Sequence, residues 1–151
     1  MRKRLSIMVA VAGIAAFAAL GSARANSADT VVLTAKLTGR YLHTTSTGHG
    51  TARITFTASK VCWRFTYTGL DRPNVSGIHV VPPPAAGKHT RSVFPFSAAT
   101  SRAPGCVAKT HWGPSSAGWA DKIVANPAHF YVIIGTSKYP QGAIGGVLHG
   151  A

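Results

Sequence analysis

Histidine is the residue type in this chain best suited to chemistry, because neutral imidazole binds copper and zinc. The chain has seven histidines, but none of them forms an H-x-H or H-E-x-x-H motif. A site could still be assembled from separate strands, and its candidate ligands are His79, His129 and His149. We therefore keep a copper or zinc site centred on His79 as one hypothesis. A structural role for His79, hydrogen-bonded at the end of a strand, is the favoured alternative.

The acidic residues leave little room for hydrolytic catalysis. Glutamate is absent, and the only aspartates are Asp29, Asp71 and Asp121. They fall near the start of the domain, in a turn and on a helix surface, so no carboxylate pair is placed for acid–base work. A Ser76–His79–Asp71 triad can be written down, but no nucleophile-elbow motif presents Ser76. We expect that the protein is not an enzyme and has no cofactor.

The charge balance is the strongest compositional signal. Lys and Arg number 16 against three acidic residues, which gives a formal net charge of +13. Such a cationic chain favours an anionic polymer or an acidic protein surface as its partner, although a merely solvated basic surface stays open. The basic residues form no block or aromatic-interleaved stripe, so we expect no specific nucleic acid. A membrane-disturbing protein is a further alternative, but the amphipathic helix typical of that activity is missing.

The N-terminus has the features of a signal peptide. Basic residues 2–4 precede an apolar run over residues 5–20, and Ala23-Arg24-Ala25 fits a signal-peptidase site. The run is shorter than the roughly 20 apolar residues of a membrane anchor. We therefore predict a signal peptide over residues 1–25, cleaved between Ala25 and Asn26, and one domain over residues 26–151. The protein is expected to be secreted, extracellular or in the cell envelope, with no transmembrane segment after cleavage.

The two cysteines, Cys62 and Cys106, are predicted to form one disulfide, as expected of an exported chain. Cys62 falls on the polar face of its predicted strand. The bridge should therefore pin the Cys106 segment over that outward face and lie away from the central core.

The elements that must position these residues are mainly strands. From Val61 to Tyr67, large apolar residues alternate with small or polar ones, which indicates a strand with one buried face. The same period marks Val31–Thr38 and Thr51–Ala58, and Ser59-Lys60 is predicted as the tight hairpin before Val61.

Further short strands follow along the chain. They are a strand ending on His79 and the segments 91–97, 106–108, 128–136 and 143–149. The segment 128–136 is apolar throughout, so we expect burial on both faces, and Gly145-Gly146 implies a bulge or a close backbone approach. Ser116–Asn126 is the one predicted helix. The fold class predicted is all-β, an antiparallel β-sandwich or flattened barrel of about seven or eight strands with one short helix.

The order of these features resembles the CHRD domain, a module named after its repeats in chordin and also found singly in secreted bacterial proteins. The matching pieces are LTAKLTG (33–39), GTARITF (50–56), VCWRFTYTGL (61–70), SGIHV (76–80), GCV (105–107) and FYVIIGTSKYPQGAIGGVL (130–148). The resemblance implies an all-β sandwich whose closing strands form a hairpin. Some bacterial members share a cysteine pair at these two places, and chordin's partners are extracellular signalling ligands.

The chain departs from this family at two histidine positions. The family often reads Ala-His-Ile-His where this chain has Ser76-Gly77-Ile78-His79, and Asn-Val-His where it has Ile133-Ile134-Gly135. Of three histidines that could converge, only His79 remains. The resemblance thus implies an exported binding module of undefined ligand, and the charge points to anionic envelope or extracellular partners. The metal-binding hypothesis is the alternative, and the sequence leaves the oligomeric state open.

Overall fold

The computed structural model of the protein describes residues 30–81, 92–96, 104–111 and 114–151. The predicted signal peptide and its cleavage site at Ala25–Asn26 lie outside the described residues. The secretion and domain boundaries drawn from that segment therefore stay predictions.

The described residues are dominated by short strands, as the period-two patterns predict. The strands are β1 (Val31–Thr38), β2 (His49–Phe56), β3 (Lys60–Thr68), β4 (Pro73–Val80), β5 (Phe94–Pro95), β6 (Gly105–Ala108), β7 (Phe130–Thr136), β8 (Ile144–Val147) and β9 (His149–Gly150). The helix α1 spans Pro114–Ala125, and 3-10 turns cover Arg40–Leu42, Lys109–His111 and Pro127–His129. The helix thus begins two residues before the predicted Ser116, with a proline in its first turn, where the missing N–H costs nothing.

The strands form one antiparallel sheet in the order β5-β4-β7-β8-β1-β2-β3-β6, and β9 pairs with β1. The sheet curls into a half-barrel. Aromatic contacts join its two ends: the ring centroid of Phe96, just after β5, lies 4.9 Å from that of Trp63 and 5.6 Å from that of Phe65, both in β3. This architecture confirms the predicted all-β antiparallel fold. β7 and β8 form the closing hairpin that the resemblance implied.

The concave face of the sheet holds the main core. The apolar positions predicted to point inward on β2 and β3, among them Ile54, Val61, Trp63 and Phe65, are at most 4% exposed. The helix adds Ile123, which is fully buried, and Trp119 packs edge-on to Phe130. Burial of one face of β2 and β3 therefore follows the alternation in the sequence.

The strand β7 is buried on both faces, as its apolar run predicts. Its inward residues join the main core, whereas Tyr131 and Ile133 point outward and pack against Leu42. Leu42 belongs to residues 39–48, which we call the strap. The strap therefore covers the outward face of the sheet over β7 and β8.

The glycines of β8 allow two close approaches that a larger residue would block. A Cβ on Gly145 would lie 2.9 Å from the Leu42 side chain of the strap. A Cβ on Gly146 would overlap the carbonyl oxygen of Lys36 in β1. Of the two predicted explanations for Gly145-Gly146, the close backbone approach is confirmed.

Candidate functional site

The His79 side chain lies on the outward face of β4 and is 5% exposed. Its ring packs against Tyr131 with 5.4 Å between centroids, and Tyr131 in turn contacts Tyr41 at 5.7 Å. The three rings form an aromatic row (Tyr41, Tyr131, His79) on the outward face of β4 and β7. This packing makes His79 part of a buried cluster at the end of β4.

The predicted copper or zinc site is not supported. His129 lies in the 3-10 turn before β7, and His149 begins β9 opposite Thr34 of β1; both are exposed, whereas His79 is buried. Within the described ranges, no group of three or more His, Cys, Asp or Glu residues is placed to hold a metal ion. The three histidines that we considered are thus not assembled into a metal centre. The Val81 N–H, two residues past His79, donates to the His129 carbonyl at 2.9 Å, but the His129 and His149 side chains are exposed whereas that of His79 is buried.

The Ser76–His79–Asp71 arrangement is not assembled either. Ser76 points into the core, where its hydroxyl donates to the Phe96 carbonyl at 3.3 Å. His79 is three residues further along the same strand and therefore points to the opposite face of β4. Ser76 and His79 lie on different sides of the sheet.

The strap is held down by side-chain hydrogen bonds to the β7–β8 turn. The Thr44 hydroxyl donates to the Ala143 carbonyl at 3.0 Å, and Thr45 shares a 3.0 Å hydrogen bond with the Tyr139 hydroxyl. The hydrogen bond from Thr45 lowers the pKa of Tyr139. Within the strap, burial and then the neighbouring Tyr131 raise the pKa of Tyr41 to about 12.

The raised pKa of Tyr41 predicts a loss of stability at alkaline pH. Unfolded tyrosine ionises near pH 10, so the contribution of Tyr41 is fully present below pH ~10 and is lost as the pH rises towards about 12. Urea unfolding curves across this range should show a shallower decline for Tyr41→Phe than for the unmodified protein. Tyr139→Phe is the control and should not flatten the decline, since the pKa of Tyr139 is lowered. Equal slopes in the unmodified protein and Tyr41→Phe would contradict the prediction.

The outward face of β1, β2 and β3 carries a second, polar surface, which we call the open face. Its residues are Thr34, Lys36, Thr38, His49, Thr51, Arg53, Thr55, Cys62, Arg64, Thr66 and Thr68. They align in rows across the strands, and in the central row Thr34 lies opposite Arg53, which lies opposite Arg64. In the next row Lys36 lies opposite Thr51, and the hydroxyls of Thr51 and Thr66 are hydrogen-bonded at 2.6 Å.

The open face is basic. Arg53, Arg64 and Lys36 are exposed, and Lys36 is diagonal to Arg53 across the β1–β2 pair. The two aspartates in the described ranges, Asp71 and Asp121, lie in the β3–β4 turn and in α1. Like charges directly opposite each other destabilise a sheet. The adjacency of Arg53 and Arg64 is therefore a cost to the folded state.

The predicted disulfide between Cys62 and Cys106 is confirmed, with 4.0 Å between the Cα atoms. The cysteines are directly opposite each other on β3 and β6, at the edge of the open face. The expectation that the Cys106 segment covers the outward face was wrong, because β6 extends the sheet as an edge strand. The bridge also holds the chain around Pro104 beside β3, and Pro104 and Arg64 line two shallow depressions there.

The pairing of Arg53 with Arg64 was missed because the hairpin turn was predicted one residue too late. In the structure, Ala58 and Ser59 form the turn, and β3 already begins at Lys60. The reason is local: the Thr57 hydroxyl accepts hydrogen bonds from the N–H groups of Ser59 and Lys60, at 3.3 and 3.1 Å. This side chain closes the turn and sets the pairing of β2 with β3.

Comparison with known proteins gives one match. No curated protein and no solved structure is significantly similar to the chain. Within the described part of the chain, no helix is long and apolar enough to cross a membrane. A family model for the CHRD domain matches residues 33–148. This range contains all but the first two residues of β1, the strands β2 to β8, the disulfide, the strap and the open face, and the chain therefore belongs to the CHRD domain family.

Proposed function

We propose that this protein is an exported binding module that engages an anionic extracellular or envelope partner through its open face. Membership of the CHRD domain family supports an extracellular binding module. The disulfide is consistent with secretion, since such bridges persist in oxidising compartments. The partner is an anionic polymer or an acidic protein surface, because after the predicted cleavage 12 Lys and Arg residues remain against three aspartates, a net charge of +9.

The observation that carries this proposal is the arginine pair on the open face. Arg53 and Arg64 are exposed and directly opposite, with Lys36 diagonal to Arg53. Residues whose placement lowers the stability of the fold, such as two like charges at opposed positions, are expected mainly at functional sites. A negatively charged partner would remove the repulsion between the two guanidinium groups, so binding would recover the stability that their adjacency costs.

The proposal predicts that loss of the arginine pair weakens binding to polyanions. We expect the double variant Arg53→Ser with Arg64→Ser to bind about tenfold more weakly at low salt, since each exposed ion pair contributes up to about 1 kcal/mol. Retention of the protein on an immobilised anionic polymer, measured over a salt gradient, checks this expectation. For the unmodified protein, retention should vanish near ~0.5 M salt, where screening is strong.

The matched control is Arg40→Ser with Lys138→Ser. It removes the same charge from exposed positions in the strap and the β7–β8 turn, which are not part of the open face. Its retention should stay close to that of the unmodified protein. Equal losses of retention in the two double variants would show that only net charge determines binding, which would contradict the proposal.

A further inference from the structure

We infer that the open face recognises sulfate or phosphate monoester groups on an extracellular polysaccharide, with one such group held between Arg53 and Arg64. The inference rests on the proposed function and specifies its ligand. The shared chemistry is a tetrahedral oxyanion with three terminal oxygens, attached through an ester to a sugar chain.

The adjacency of two guanidinium groups favours this ligand over a carboxylate. Arg53 and Arg64 lie on neighbouring strands at directly opposed positions, where Cβ atoms are about 5 Å apart. Each guanidinium is a planar fork that binds two oxygens at once. One fork engages both oxygens of a carboxylate, so a second arginine can reach only the remaining lone pairs of those same two oxygens. A monoester group has three terminal oxygens and can be shared by both forks.

The neighbouring row offers one hydroxyl donor to the same group. The hydroxyls of Thr51 and Thr66 are hydrogen-bonded to each other at 2.6 Å. In such a pair one hydroxyl donates and the other accepts, so the accepting hydroxyl keeps its own proton for a ligand oxygen. A neutral donor beside two cations suits an oxyanion that has more lone pairs than the arginines alone would use.

The shape of the surface favours a chain over a small molecule. Arg64 lines both of the shallow depressions beside Pro104, one reaching Thr55 and Trp63 and the other reaching Thr66. Small ligands are generally enclosed in concave, mostly apolar pockets. Here the surface continues past the arginine pair in both directions along β3, so neighbouring sugar units would have room on either side.

The test compares polymers that differ in their anionic group at similar charge density. Dextran sulfate, a phosphorylated mannan, polygalacturonate and polyglutamate are titrated with the unmodified protein at one salt concentration. We expect at least one of the two ester polymers to bind about tenfold more tightly than either carboxylate polymer. The tighter of the two identifies the ester as sulfate or phosphate.

The double variant Arg53→Lys with Arg64→Lys tests the geometry at constant net charge. Lysine keeps the charge but lacks the planar fork, so the preference for ester polymers should fall from about tenfold towards none while salt-sensitive binding persists. Arg40→Lys is the control and should keep the preference. Unchanged thermal unfolding of both variants would show that they fold normally.

The outcomes separate the inference from the proposed function. Equal binding to all four polymers, or tighter binding to the carboxylate polymers, would overturn the inference and leave the proposed function standing. A preference that survives in the Arg53→Lys with Arg64→Lys variant would also overturn the inference. Failure to bind any polymer at low salt would overturn both.

Discussion

Removing the disulfide with Cys62→Ser and Cys106→Ser is expected to lower the free energy of unfolding by about 4 kcal/mol. The bridged residues are 44 positions apart, and opening so long a loop gives the unfolded chain much more conformational freedom. In the folded protein, β6 pairs with β3 only between Lys60 and Trp63. An edge strand this short has few other interactions to keep it in place. Guanidinium denaturation of the double variant and the oxidised protein measures the difference.

Chemical reduction of the unmodified protein is the control for this variant. Treatment with a dithiol reductant should destabilise the unmodified protein by a similar amount and leave the double variant unaffected. Because β6 holds Pro104 beside Arg64, the variant should also lose part of its retention on anionic polymers. A stability loss below about 1 kcal/mol would mean that the bridge adds little to the existing strand pairing.

Gly146→Ala is expected to destabilise the fold by about 3 kcal/mol, at the upper end of overpacking effects. The new Cβ would overlap the Lys36 carbonyl oxygen of β1. An alanine at this position therefore has to push β8 and β1 apart. Their contact joins the half-sheet β5-β4-β7-β8 to the half-sheet β1-β2-β3-β6 in the strand order. Urea unfolding with tryptophan fluorescence measures the change.

The matched control for this substitution is Gly150→Ala in β9. A Cβ on Gly150 would meet nothing within 4 Å, so its effect should stay within about 0.5 kcal/mol. Similar stabilities for the two alanine variants would show that β1 and β8 can separate without cost.

The strap could not be predicted from the sequence as the cover of β7. The apolar run of β7 predicted burial on both faces, but residues 40–50 are polar and rich in Gly, Ser and Thr, a composition typical of a loop. In the structure, these residues cover β7 through Leu42, and Thr44 bonds to Ala143, 99 positions away. A contact between residues so far apart leaves no local sequence pattern. The sequence therefore predicted that both faces of β7 are covered, but not that the strap covers one of them.

The register between β2 and β3 could not be predicted from the sequence either. Moving the hairpin turn from Ser59-Lys60 to Ala58-Ser59 shifts the pairing of β2 and β3 by two residues. Such a shift leaves every side chain on its own face, because the side-chain period of a strand is two. With the later turn, Arg53 would lie opposite Thr66 instead of Arg64. The alternation therefore identified the polar face but could not identify the arginine pair on it.

The amino-acid sequence by itself determined the all-β class, the inward and outward faces of β1 to β3, the disulfide partners and the family. These properties depend on local periodicity, on cysteine number and on the order of motifs along the chain. Only the tertiary structure decided that Arg53 lies opposite Arg64, and that His79 is buried against Tyr131 while the His129 and His149 side chains are exposed. Contacts of this kind depend on strand order and register, which are set by the packing of the whole sheet.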